Sequence, residues 1–128
     1  MVQGFPIRPL AAALVLLALP AGPASAHHGW SWTESGFFQL EGVIREIYLG
    51  NPHATLDVEV EGVVWRVELA PAGRTAASGF SEESAAVGDT VVAIGNRSAD
   101  PGETRMKAVR VIVGGQTYDV YPDRAKSI

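Results

Sequence analysis

Cysteine is absent from this chain of 128 residues. Its absence excludes disulfide bonds, thiolate metal sites, iron–sulfur clusters and cysteine nucleophiles. The stability of the fold must therefore come from a hydrophobic core, and the length allows one compact domain. Long apolar runs are scarce as well, and the longest, Leu10 to Leu19, has ten residues. A helix needs about 20 apolar residues to cross a bilayer, so this run is too short for an ordinary span.

The sequence also has few basic residues and lacks recognisable catalytic motifs. Ten basic side chains stand against fourteen acidic ones, which gives a formal net charge of −4. This balance argues against nucleic acid or anionic lipid as a partner. The sequence has no glycine-rich phosphate loop, no nucleophile elbow and no helical pair of histidines with a glutamate between them. It therefore predicts a protein that is not an enzyme.

Residues 1–26 have the three parts of a secretory signal peptide. Arg8 supplies a positive charge, the apolar run from Leu10 to Leu19 follows, and Ala24-Ser25-Ala26 is a small-residue cleavage site. The pattern predicts a bacterial protein that is periplasmic or secreted and has no stable membrane insertion after cleavage. The alternative is an uncleaved membrane anchor. Cleavage after Ala26 leaves nine basic and fourteen acidic side chains.

Two of the three histidines directly follow the predicted cleavage site. In a chain that starts at His27, the free amine, a backbone amide and the His28 imidazole can bind copper(II) or another divalent transition metal. His53 completes the set if it approaches the terminus. Eleven residues from His27 to Phe37 span at most about 36 Å, so this requires the tail to lie along the first strand. The alternatives are a solvated tail and a His53 that serves only as a turn residue.

The remainder of the chain alternates apolar and polar residues in short segments, a pattern typical of strands. Gly42 lies in the longest segment, where a residue without Cβ permits a bend. The order predicts an all-β protein, an OB-like five-stranded barrel of β-β-β-α-β-β order whose first strand bends to serve both sheets. An open antiparallel sheet with one helix is the alternative. The segments are strands over 37–48, 54–60, 63–69, 89–95, 106–113 and 117–121, with short helical turns, one starting at Ser81, between 70 and 88.

The predicted barrel domain covers 38–121, preceded by an aromatic and histidine-containing segment over 27–37 and followed by a C-terminal tail over 122–128. Trp30, Trp32 and Phe37 make the preceding segment too apolar for a free linker. They either pack over the barrel or form one wall of a ligand or partner surface. Tyr118 and Tyr121 are expected at the rim of such a surface.

Several short motifs resemble a family of small exported bacterial proteins of unknown function, DUF6152. The resemblance extends over nearly all of the chain after the cleavage site. It implies an exported domain with an OB-like barrel and supplies no established activity. The motifs are Ala26-His27-His28, Leu40-Glu41-Gly42-Val43, Asn51-Pro52-His53, residues 65–69 (Trp-Arg-Val-Glu-Leu), Gly88-Asp89-Thr90-Val91, and residues 108–111 (Ala-Val-Arg-Val) with Tyr118.

Three functional hypotheses follow from these features. The first is a periplasmic binding domain in which His27, with His28 and His53, holds copper or another divalent transition metal. The second is a structural or interaction module that binds a periplasmic protein or a small ligand over Trp30, Trp32 and Phe37, without a metal. The third is an oxidative copper enzyme with an amino-terminal histidine, which the small size of the chain disfavours.

Overall fold

The computed structural model describes residues 3–4 and 29–128. Most of the predicted export segment (1–26) and the predicted ligands His27 and His28 therefore lie outside the described residues. Residues 29–128 contain six strands and two short helices. In chain order these are β1 (Phe38–Tyr48), β2 (Thr55–Val60), β3 (Val63–Glu68), α1 (Ala72–Ala77), β4 (Thr90–Arg97), β5 (Arg105–Val113), β6 (Gln116–Asp119) and α2 (Pro122–Ala125).

The first five strands close into a barrel. The sheet order is β3-β2-β1-β4-β5-β6, and an additional parallel pairing between β3 and β5 joins the two sides. This is the strand order of the OB barrel, with the helix α1 between β3 and β4. The predicted fold class is confirmed, and β6 is an antiparallel addition to the edge of β5.

The long strand β1 serves both halves of the barrel. Residues 38–43 pair with β4, and residues 43–48 pair with β2. Gly42 lies beside this change of partner, and a Cβ there would be 2.3 Å from the carbonyl oxygen of Glu59. The backbones approach so closely that only glycine fits at this position, while the register irregularity of β1 lies between Ile44 and Glu46.

The core fills the inside of the barrel with apolar side chains from every strand of the closed sheet. Alternate residues of β2, Leu56 and Val58, are fully buried, as the period of two predicts. Strand β5 is buried on both faces for much of its length, because the N-terminal segment and α2 cover its outer side. One charged side chain, Lys107, is buried in this strand and is 2% exposed.

The segments outside the strands differ in part from the expectation. The connection after β3 contains α1 and then a turn at Ser81, whose hydroxyl accepts a hydrogen bond from the Glu83 amide, but no helix extends from this turn. The expected C-terminal tail contains α2, and Ala125 in this helix is buried. Within residues 3–4 and 29–128, no helix is long and apolar enough to cross a membrane.

Candidate functional site

The segment before β1 is held against the barrel by backbone hydrogen bonds. The Glu34 amide donates to the carbonyl of Arg97, and the Ala99 amide donates to the carbonyl of Trp32. The buried Asn96 side chain donates to the carbonyls of Glu34 and Gly36, each at 3.1 Å. The segment therefore lies along the end of β4 and continues over the start of β5, and not along β1, the route that a site shared with His53 was expected to require.

Lys107 anchors the beginning of this segment. Its Nζ donates a hydrogen bond to the carbonyl oxygen of Gly29 at 3.1 Å and lies 4.6 Å from the centroid of the Trp30 ring. Burial lowers the pKa of Lys107, and the positive charge of Arg124 lowers it further, while Glu68 opposes the change. The lysine thus fixes the chain close to the predicted mature N-terminus.

Trp30 forms one wall of a cavity of about 540 Å³. The loop between β1 and β2, the start of α1 and the start of α2 also contribute to the lining. The volume lies in the range of small-molecule sites. The lining residues are Trp30, Pro52, His53, Pro71, Arg74, Tyr121, Asp123 and Arg124.

The aromatic side chains of the cavity are in contact with one another and with cations. The rings of Trp30 and Tyr121 meet edge to face with centroids 5.0 Å apart. The guanidinium of Arg124 lies 3.9 Å from the Trp30 centroid, and that of Arg74 lies 5.3 Å from the Tyr121 centroid. Burial raises the pKa of the Tyr121 hydroxyl, and nearby Arg74 opposes the increase. Tyr121 is therefore a neutral hydrogen-bonding group at ordinary pH.

His53 is positioned by the short loop that leads into β2. The neighbouring Ala54 is fully buried, its amide donates to the carbonyl of Ala70, and its carbonyl accepts from the amide of Leu69. This pair of bonds fixes the end of the loop against the end of β3. His53 consequently lines the large cavity and also a smaller one of about 280 Å³ that Glu46, Asp57 and Glu68 line as well.

The structure therefore brings Trp30 and His53 to the same cavity, although 23 positions separate them in the sequence. The other two residues of the predicted aromatic surface, Trp32 and Phe37, are not among the residues that line this cavity. Trp32 lies under the guanidinium of Arg105 at 3.9 Å, and Phe37 is 47% exposed. Residues 29–128 contain no group of three or more histidine, aspartate or glutamate side chains arranged to hold a metal.

The sequence did not predict the basic residues of this site, Arg74, Lys107 and Arg124. Two features of the sequence nevertheless pointed to parts of it. Lys107 shares one face of the predicted strand over 106–113 with Val109, Val111 and Val113, and a charged residue on an otherwise apolar face indicates a buried polar contact. Pro122 followed by Asp123 is a helix-start pattern, which indicates an ordered element where a tail was expected. Arg74 and Arg124 gave no sequence signal that distinguishes them from surface arginines.

Among solved structures, the chain is similar to one chain of the S. pombe Stn1-Ten1 complex. The identity is 18%, the match covers 71% of this chain and 63% of that one, and the TM-score is 0.50. The chain thus spans less than two thirds of that structure, and at this identity the likeness concerns the fold alone. No curated protein matches the chain.

A family model matches residues 14–107, from the apolar run near the N-terminus to the buried lysine of β5. The matched part includes Trp30, His53 and Arg74 of the cavity, whereas Tyr121 and Arg124 follow it. The match covers well over half of the chain and confirms the predicted resemblance. The chain belongs to the family of unknown function DUF6152.

Proposed function

We propose that the protein is an exported bacterial binding domain in which His27, His28 and His53 bind copper(II) or another divalent transition metal. The observation that supports this proposal is that His53 and Trp30 line one cavity. Lys107 holds the carbonyl of Gly29, the residue before Trp30. Two residues connect Gly29 to the amine of His27, and they span at most about 7 Å. The amine of His27 is therefore close along the chain to Trp30, which lines the same cavity as His53.

The ligand chemistry favours copper among the divalent metals. The amine, a deprotonated backbone amide and imidazole are nitrogen ligands, and nitrogen sites bind copper(II) most tightly in the first-row order. Binding releases the protons of the amine and the amide, so the affinity rises with pH. The proposed role is binding rather than catalysis, in the periplasm or outside the cell.

A copper(II) titration of protein that begins at His27 tests the proposal. We expect binding of one copper per chain by native mass spectrometry and by calorimetry, and a loss of at least about tenfold in affinity when one alanine precedes His27. Substitution His53→Gln should also weaken binding by about tenfold or more, because it removes one of three ligands. Equal affinity in the extended protein would contradict an amino-terminal site.

The position of the mature terminus has its own test. The protein is isolated from a periplasmic fraction, and its intact mass is measured. A chain that begins at His27 supports the proposed export and cleavage, whereas a mass that retains residues 1–26 contradicts them.

A second candidate function is a protein-interaction module without a metal. It is supported by the 47% exposure of Phe37, an aromatic side chain five residues from Trp32 on a segment that the barrel holds in place. A photo-crosslinking amino acid at Phe37 should then capture one periplasmic protein, with and without a chelator. Crosslinking that disappears on removal of copper would instead link the surface to the metal site.

A further inference from the structure

Apart from the buried Lys107, the basic side chains of residues 29–128 fall into two groups. Of the nine in this part of the sequence, five form ion pairs with carboxylates. Arg74, Arg97 and Arg124 form no ion pair with a carboxylate of these residues and lie over aromatic rings instead. Two of these three arginines, Arg74 and Arg124, line the same cavity.

The cavity is positive in a chain that is acidic as a whole. Among the described residues that line it, the only acidic one is Asp123, whose carboxylate accepts a hydrogen bond from Lys126 at 3.1 Å. Lys107 lies behind the Trp30 ring and is close enough to Arg124 for the two charges to repel. The local charge therefore comes from specific side chains around the cavity and is opposite in sign to the net charge of −4.

From this arrangement we infer that the cavity binds a small organic anion, whose carboxylate or phosphate group is held by Arg74 and Arg124. A guanidinium presents a planar fork of donors that matches these two groups. The rings of Tyr121 and Trp30 restrict the two guanidiniums before a ligand arrives, which lowers the entropic cost of binding. A volume of about 540 Å³ accommodates an anion with a ring or a short carbon chain.

The inferred ligand goes beyond the proposed metal function and does not depend on it. A divalent cation near His53 is disfavoured by the positive charge of Arg74 and Arg124, since all three residues line one cavity. A bound anion offsets that repulsion. The two ligands are therefore expected to support each other where both bind, and the anion is expected to bind without the metal.

Calorimetric titration with benzoate and with phenyl phosphate tests the inference. The protein starts at an alanine before His27 and is treated with a chelator that is removed by gel filtration before the titration, so that the proposed metal site is disabled and no carboxylate competes with the probes. We expect saturable binding of at least one probe at one per chain, with a Kd below about 1 mM. The probe that binds more tightly identifies the preferred anionic group. Failure of both probes to saturate would overturn the inference.

Two charge-removing variants and one matched control locate the site. Arg74→Gln and Arg124→Gln should each weaken binding by at least about tenfold, because each removes one charged donor pair. Arg97→Gln removes an arginine that also lies over aromatic rings but outside the cavity lining, and it should change the Kd by less than about twofold. Equal weakening by all three would indicate general charge attraction and contradict the site.

Urea unfolding confirms that each variant is folded, and Arg74→Lys, which keeps the charge, should recover part of the affinity.

Discussion

The arginines of the strands and the arginines around the cavity are stabilised by different partners. In four pairs a strand guanidinium meets a carboxylate of a neighbouring strand, whereas the two arginines of the cavity, like Arg97 at the end of β4, lie over aromatic rings. The first arrangement cancels charge locally, and the second leaves it available to a ligand. The strand pairs are Arg45 with Glu59, Arg66 with Asp57, Arg105 with Glu68, and Arg110 with Asp119.

The two groups also differ in how the sequence specifies them. Asp57 and Arg66 are direct partners in the register of β2 and β3, and Arg110 and Asp119 are direct partners in that of β5 and β6. Cross-strand pairing of opposite charges follows from the hairpin register alone. The cavity instead needs the N-terminal segment, a loop and both helices in place. We therefore expect the two groups to respond differently to substitution, salt and pH.

The largest expected effect is a difference in the loss of stability when two basic residues of strand β5, Lys107 and Arg110, are each replaced by alanine. Lys107→Ala should lower the free energy of unfolding by about 2–3 kcal/mol, because it removes about three buried methylenes at roughly 0.8 kcal/mol each and the hydrogen bond to Gly29. Arg110→Ala removes a partly exposed ion pair and should cost less than about 1 kcal/mol. Urea unfolding at equilibrium measures both. Equal losses would show that the buried lysine does not anchor the segment.

A smaller effect separates the ring contact from the ion pair. Double-mutant cycles with Arg124→Gln and Trp30→Leu should give a coupling of about 0.5–1 kcal/mol that changes little with salt. The cycle with Arg66→Gln and Asp57→Asn should give a similar or smaller coupling at low salt, which falls as the ionic strength rises. The comparison fails if both couplings respond to salt in the same way.

The smallest expected effect is a dependence of stability on pH. Because burial lowers the pKa of Lys107 in the folded protein below the ordinary 10.5, the unfolded chain binds more protons between the two pKa values. Stability should therefore rise with pH in that interval, by no more than about 1.4 kcal/mol per pH unit for one proton. Lys107→Met should remove this rise.

The measurement for Lys107 compares unfolding of the natural protein and the variant at several pH values below about 10. Above that pH the raised pKa of Tyr121 acts in the opposite direction. The hydroxyl ionises more readily in the unfolded chain than in the folded protein, so the free energy of unfolding falls as the pH rises. Parallel pH curves for the two proteins would contradict a lowered lysine pKa.

The sequence predicted the barrel because its determinants are local. Alternation marked the strands, and Gly42 marked the position where β1 changes partner. The helix α2 was expected as a tail because four residues are too few for helical periodicity to appear. Ser81 was expected to start a helix, but the chain forms only a turn there, since its cap bonds are local and no apolar face follows.

The candidate site was predictable only in part, because its residues come from segments that the fold alone brings together. His53 and Trp30 were separate candidates, and their shared cavity depends on the path of residues 29–37 over β4 and β5. Arg74 and Arg124 became candidates only when the pairing of every other basic side chain was known. Charge that lacks an acidic partner is a property of the folded molecule and has no sequence pattern.

The hydrogen bond from Lys107 to the Gly29 carbonyl holds the chain close to the predicted cleavage site and so connects cleavage with metal binding. Trp30, a wall of the cavity, is the fourth residue of a chain cut after Ala26. Under the proposed cleavage, three residues would precede Trp30 in the processed protein, whereas 29 would precede it in the precursor. Under the proposal of an amino-terminal metal site, the protein would acquire its metal-binding capacity only when cleavage frees the amine of His27.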